Sequence, residues 1–167
     1  IRIGVLISGS GTNLQSILDA CEAQRISGEV VCVGSDKDDV FGLQRAQEHN
    51  VPNFVVNYGE IIRKYLMASH QFVVPRDFDF DEIIAKQRLF DGQFSTDHLK
   101  KYFFTRAAAE ADILKKLNAY HIDLLVLAGF MRNLTPYFID RFNSGSLGLR
   151  IMNIHPALLP SFPGIDG

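Results

Sequence analysis

A chain of 167 residues, 47% hydrophobic and 22% charged, has the size and composition of one globular domain with a substantial core. Its net charge of −2 argues against a global basic field of the kind that holds nucleic acid or an anionic membrane. A local anion site stays open, because a few aimed backbone N–H groups do not register in net charge.

In chain order, Ile3, Val5, Leu6 and Ile7 form the nearly continuous apolar run of a strand covered on both faces. Ser8-Gly-Ser-Gly-Thr-Asn13 follows, then a helical pattern with Leu14, Ile17, Leu18 and Cys21 on one face. Thr12 and Gln15 fit the capping box S/T-x-x-Q. Residues 29–34 (EVVCVG) read as a second strand, 41–50 as a helix and 53–56 as a third strand. This alternation predicts an α/β fold with a doubly wound, mostly parallel open sheet.

From about 58 to 104 the chain mixes polar and aromatic residues and loses the compact βα rhythm, so this segment reads as an insertion into a single domain. Helices are expected over 60–68 and 79–90, and Ser95 is placed as the N-cap of a long helix through about Tyr120, with Leu99, Tyr102, Phe103, Ala107, Leu114 and Leu117 on one stripe. Local packing is the expected role of the aromatic residues from Phe72 to Phe104, with a lid or subunit contact as the alternative. The rhythm returns with a strand at 123–128, a loop at 129–133, Thr135 and Pro136 as N-cap and first helical residue, a strand at 149–154, and a loop punctuated by proline and glycine to Gly167.

Cys21 and Cys32 stand outside any CxxC or other metal-type spacing, which argues against a disulfide framework or zinc site and for buried apolar thiols. No apolar run nears ~18 residues, and the opening run is too short and wrongly flanked for a signal peptide. A cytoplasmic location is the expectation. Asp77, Asp79, Asp81 and Glu82 read as a solvated acidic face, and His49, His70, His98 and His121 as surface groups.

Two constellations can carry chemistry. The turn Gly9–Asn13 joins a strand to a helix, where glycines admit close backbone approach and helix N–H groups present partial positive charge. It suits a phosphate. No Gly-Lys-Ser/Thr follows as in a Walker A loop, and Leu14 stands where a dinucleotide fingerprint has its third glycine or alanine; a tight turn without ligand is the alternative. The second is Asn153-Ile154-His155-Pro156. Strand alternation puts Asn153 and His155 on one side, where an amide and an imidazole can donate to the oxyanion of a tetrahedral intermediate and move protons near neutral pH; the alternative is a core or capping histidine. With strand order 3-2-1-4-5 the loops at 8–13, 129–133 and 153–156 open on one cleft, beyond the carboxyl ends of the strands. The imidazole is then expected within ~15 Å of the glycine turn, the span of one small-molecule pocket.

SGSGTNLQ at 8–15, LAGFMR at 127–132 and MNIHPALLPSFPG at 152–164 together resemble the glycinamide ribonucleotide (GAR) formyltransferases, a branch of the 10-formyltetrahydrofolate-dependent formyltransferase group. The resemblance covers both flanks of the chain and excludes about 58–101. NIHPxLLP is shared across that wider group; the glycine turn with Asn-Leu-Gln, and PSFPG, select the branch. It implies a Rossmann-like N-terminal half in which Gly11, Thr12 and Asn13 hold the substrate phosphate. Met131, Arg132 and Leu134 would line the folate pocket, Asn153 and His155 would be catalytic, Pro156 would shape the substrate pocket, and Arg106 would reach the substrate.

The implied reaction moves a formyl group from 10-formyltetrahydrofolate, a co-substrate, to the amine of glycinamide ribonucleotide in de novo purine biosynthesis, without a metal, nucleic acid or membrane. A homo-oligomer is left open. The family's third catalytic residue is an aspartate further downstream than Gly167. Asp166 lies too close to the motif to take its place, so the C-terminal part is expected to be absent and the end of the chain to self-associate or lose order. Two rivals stand beside this reading: a formyltetrahydrofolate deformylase, and a non-catalytic phosphate-binding α/β module.

Overall fold

The computed structural model describes residues 1–90, 92, 94–145 and 148–154. Five parallel strands, β1 (Arg2–Ile7), β2 (Glu29–Ser35), β3 (Asn53–Val55), β4 (Leu124–Leu127) and β5 (Ile151–Asn153), form one sheet in the order β3-β2-β1-β4-β5. The expected fold class and strand order are both observed. Central β1 is buried from Ile3 to Ile7, and β2 from Val30 to Ser35, as their unbroken apolar runs require. The outer strands are shorter, β3 and β5 holding three residues each.

The helices are α1 (Thr12–Glu22), α2 (Phe41–Glu48), α3 (Tyr58–Met67), α4 (Phe80–Lys86), α5 (Thr96–Asn118) and α6 (Pro136–Asn143). On one face, Leu14 and Leu18 of α1 and Leu43 and Ala46 of α2 pack against Ile3, Val5, Ile7 and Val33. On the other, Ala109, Ile113 and Leu117 of α5 and Phe138 and Phe142 of α6 pack on Leu6, Cys32 and Leu125. Burial lifts the Cys32 thiol to about 12, which makes it inert at neutral pH. Cys21 is only half-buried.

Segment 58–104 folds onto the α5 side. Ser95 caps α5 as expected, its side chain accepting from the His98 amide, and Asp79 does the same for α4 at the Glu82 amide. Phe104 sits edge-on to Tyr65, Phe78 and Phe80, and Phe90 to Tyr102 and Phe103, so the aromatic residues do pack locally. Three of the acidic residues are engaged rather than simply solvated, Glu82 by accepting from Lys86 Nζ at 2.6 Å. Asp79 is a cap, and Asp77 accepts from Arg141 Nε at 2.6 Å and from the Tyr137 hydroxyl at 3.1 Å; the Arg141 bond holds its carboxyl below the usual range.

The capping box at α1 does not form. Gly11, not Thr12, is the N-cap residue, at φ 72°, and no side chain caps the helix. Thr12 is already helical, so its hydroxyl cannot reach forward to the third amide. Gln15 instead turns to Asp19, His49 and Arg45.

Thr135 occupies the N-cap position of α6 with Pro136 following, yet its side chain does not cap. Buried Glu110 of α5 takes over. It accepts from the Thr135 amide at 2.8 Å and the Thr135 hydroxyl at 2.6 Å. Desolvation raises its carboxyl to about 7, against the opposing pull of these bonds and of Arg106. The folded state therefore binds this proton more tightly than the unfolded chain, where the value is 4.5. The contribution of this group to stability is fully present below pH 4.5 and is lost as pH rises through about 7, a loss of about 3 kcal/mol. Glu110→Gln is expected to flatten that part of the profile in urea melts run from pH 4.5 to 8; an unchanged slope would show that Glu110 is not its source.

Candidate functional site

The glycine turn is held from below. Gly42 at the start of α2 donates its amide to Gly9 O at 3.0 Å, and Arg45 Nε donates to Ser10 O at 3.0 Å. A Cβ on Gly11 would meet Gly42 Cα at 2.5 Å, and one on Gly42 would meet Ile7 Cδ1 at 2.4 Å. Two helix starts thus touch backbone to backbone, and at position 11 a positive φ and fixed backbone together demand glycine. Among the described residues the first amides of α1 have no side-chain partner, and Thr12 is exposed and Asn13 half-buried. This is a place where an anion can be gripped by main chain and helix dipole together.

The loop after β4 meets this turn directly. The Met131 amide donates to the hydroxyl of buried Ser8 at 2.8 Å, and Gly129 at φ 76° makes the bend. Register brings in β5: Leu6 pairs with Leu127, and Leu127 with Asn153. Two strand spacings put Asn153 about 10 Å from Leu6. Asn153 is exposed and Ile154 N donates to Leu127 O at 3.1 Å. His155 and Pro156 lie outside the described residues, and so does the expected distance from the imidazole to the glycine turn.

A cleft of about 410 Å³ runs along the β4–β5 side, lined by Leu127, Phe130, Arg132, Asn133, Leu134, Ile151 and Asn153 among others. Its apolar walls with a few polar groups suit a flat, partly polar ligand. Arg132, Leu134 and Asn153 come together here; Met131 does not line it, and its side chain is 63% exposed. A cavity of about 510 Å³ against Arg2, Glu29 and Val51 lies at the opposite, amino-terminal ends of the strands, away from the edge where open α/β sheets bind ligands.

Beside the cleft is a polar interior that the sequence did not announce. Arg132 Nε pairs with Asp36 Oδ2 at 2.6 Å, and the Asp36 side chain is fully buried. Tyr58, also buried, lies under two guanidinium groups, Arg106 at 5.0 Å and Arg132 at 5.1 Å from its ring centroid. Burial, with the Glu110 charge, pushes the Tyr58 hydroxyl well above its ordinary range, so it is a neutral donor. Asp36 Oδ1, Tyr58 Oη and Arg106 Nη1 are each buried without a hydrogen-bond partner among the described residues. Such a concentration is characteristic of a site rather than a core. One cue was available. Asp36 follows β2 directly, where dinucleotide-binding folds carry their ribose-binding acid. Here that acid faces an arginine.

The formyl transferase family model matches residues 1–167. Phosphoribosylglycinamide formyltransferase of Escherichia coli is 32% identical over 165 residues, covering 99% of this chain and 56% of that protein. The trifunctional purine biosynthetic protein adenosine-3 of Drosophila melanogaster is 32% identical over 166 residues, 98% of this chain and 9% of its own length. Among solved structures, glycinamide ribonucleotide transformylase 1 of Symbiobacterium toebii superposes with a TM-score of 0.64 at 36% identity, over 99% of this chain and 56% of that one. The chain therefore spans little more than half the length of these single-function relatives.

Gly11→Ala tests the backbone contact. A side chain at positive φ against a fixed neighbour is expected to cost about 2–4 kcal/mol, read as a shift in denaturant midpoint. A loss below 0.5 kcal/mol, roughly that of a neutral surface change, would show that the two helix starts are not pressed together.

Proposed function

This chain belongs to the formyl transferase family, and on that premise we propose that it carries the anion-gripping and formyl-polarising part of a GAR formyltransferase. The reaction is transfer of a formyl group from 10-formyltetrahydrofolate to the amine of glycinamide ribonucleotide, in de novo purine biosynthesis. The observation that carries this reading is the meeting of three strand ends: Ser8 bonded to the Met131 amide, and Asn153 in register with Leu127.

In this reading the Gly11, Thr12 and Asn13 amides hold the ribonucleotide phosphate. Arg106 reaches toward the same substrate from α5, with an unpartnered buried Nη1 in support. The donor lies in the cleft along Arg132 and Leu134. The substrate amine attacks the formyl carbon, and the carbonyl π pair moves onto oxygen. The Asn153 amide and the His155 imidazole donate to that oxyanion, while Pro156 shapes the pocket. As the tetrahedral intermediate collapses, the carbon–nitrogen bond to the folate breaks and the amine's proton passes, through His155 or a water, to the departing nitrogen. No step calls for a metal.

The same proposal takes residues 1–167 as one domain with 58–104 as an insert, supported by the packing of α3 and α4 on α5. It also places the protein in the cytoplasm, acting on small molecules. Among the described residues no helix is long and apolar enough to cross a membrane.

Asn153→Ala in the full natural protein is expected to lower turnover ~10²–10³-fold, the usual effect of losing one oxyanion donor. Product analysis by mass spectrometry should find formylated glycinamide ribonucleotide. Formate released without acceptor would instead indicate a deformylase, and tight GAR binding with neither product a binding module.

A further inference from the structure

Arg132 enters the cleft wall with one face of its guanidinium already committed. Its Nε donates to buried Asp36 at 2.6 Å, its guanidinium carbon lies 5.1 Å from the Tyr58 ring centroid, and the side chain, 27% exposed, lines the cleft. The terminal nitrogens Nη1 and Nη2 make no hydrogen bond among the described residues. An aspartate placed end-on would have occupied both terminal nitrogens. Placed at Nε, it fixes the rotation of the fork and leaves the two-pronged edge open.

We infer that Asp36 is a positioning residue: it turns Arg132 so that the Nη1/Nη2 edge faces the cleft and reads a planar acceptor edge of the donor substrate. This rests on the assignment of the cleft to 10-formyltetrahydrofolate. Asp36 sits behind Arg132, sealed from solvent, and acts only through it. Tyr58 supplies the shelf that keeps the guanidinium plane from tipping. The pair spans the end of β2 and the loop after β4, so the donor cleft is aimed by a strand that does not line it.

The test is calorimetric titration of the full natural protein with 10-formyltetrahydrofolate and, separately, with glycinamide ribonucleotide. Asp36→Asn keeps an acceptor beside Nε but removes its charge; Asp36→Ala removes both and serves if it folds. Donor affinity is expected to fall about tenfold in Asp36→Asn, the effect of one weakened charge-assisted bond, with GAR affinity unchanged. In an Arg132→Ala background the Asp36 change is expected to cost nothing more. Equal loss for both ligands, or full additivity with Arg132→Ala, would mark Asp36 as merely structural and overturn the inference. In the ligand-free protein the Arg132 Nε–H proton should exchange slowly with solvent by NMR, and faster in Asp36→Asn. Unchanged donor affinity in Asp36→Asn overturns the positioning role alone. A wild-type protein that shows the slow proton but does not bind 10-formyltetrahydrofolate overturns the functional reading, and the ligand assigned here with it.

Discussion

Parallel pairing is the constraint from which the site follows. Parallel strands must be joined by crossovers, and right-handed crossovers return every strand in the same direction. All five strands therefore end at one edge, and every loop leaving a strand end opens there. With β1 central, β2 on one side and β4 and β5 on the other, residues 8, 36, 131 and 153 become neighbours although they span most of the chain. Side chains then refine what topology has assembled: Ser8 ties one loop to the next, and Asp36 ties β2 to the loop after β4.

The polar interior around Tyr58 is costly to build. Asp36 and Glu110 are buried carboxyls, and a buried charge is tolerated only with close partners. The chain answers differently in each case. Asp36 has an arginine. Glu110 has two donors from Thr135 and a carboxyl that holds its proton up to near-neutral pH. Hydrophobic replacements at both positions would be simpler ways to fill the space, so their presence is better explained by what they orient than by what they stabilise. Glu110 fixes the start of α6, and hence the loop 129–134 that forms the wall of the cleft.

How much was legible follows from the range of each interaction. Strands and helices announce themselves within a few residues. The apolar runs at 3–7 and 29–34, the cap at Ser95 and the helix start at Thr135-Pro136 were readable because each is a local matter. The strand-end positions of SGSGTN, GFMR and Asn153 were readable too. What sequence could not supply were contacts between distant segments: Asp36 with Arg132, 96 positions apart, or Glu110 with Thr135, 25 apart. The failed capping box belongs here as well. Thr12 and Gln15 have the right chemistry and spacing, but the contact of Gly11 with Gly42 sets where the helix begins, and that contact depends on α2.

The same contact bears on the anion capture proposed for this turn. A loop wedged against a second helix and hydrogen-bonded to it has few alternative shapes to explore before a guest is present. Little ordering entropy would remain to be surrendered in the proposed capture, so most of the attraction between amides and guest would survive as affinity. The glycines, usually a source of looseness in a chain, here produce a stiff receptacle because they let two backbones interlock.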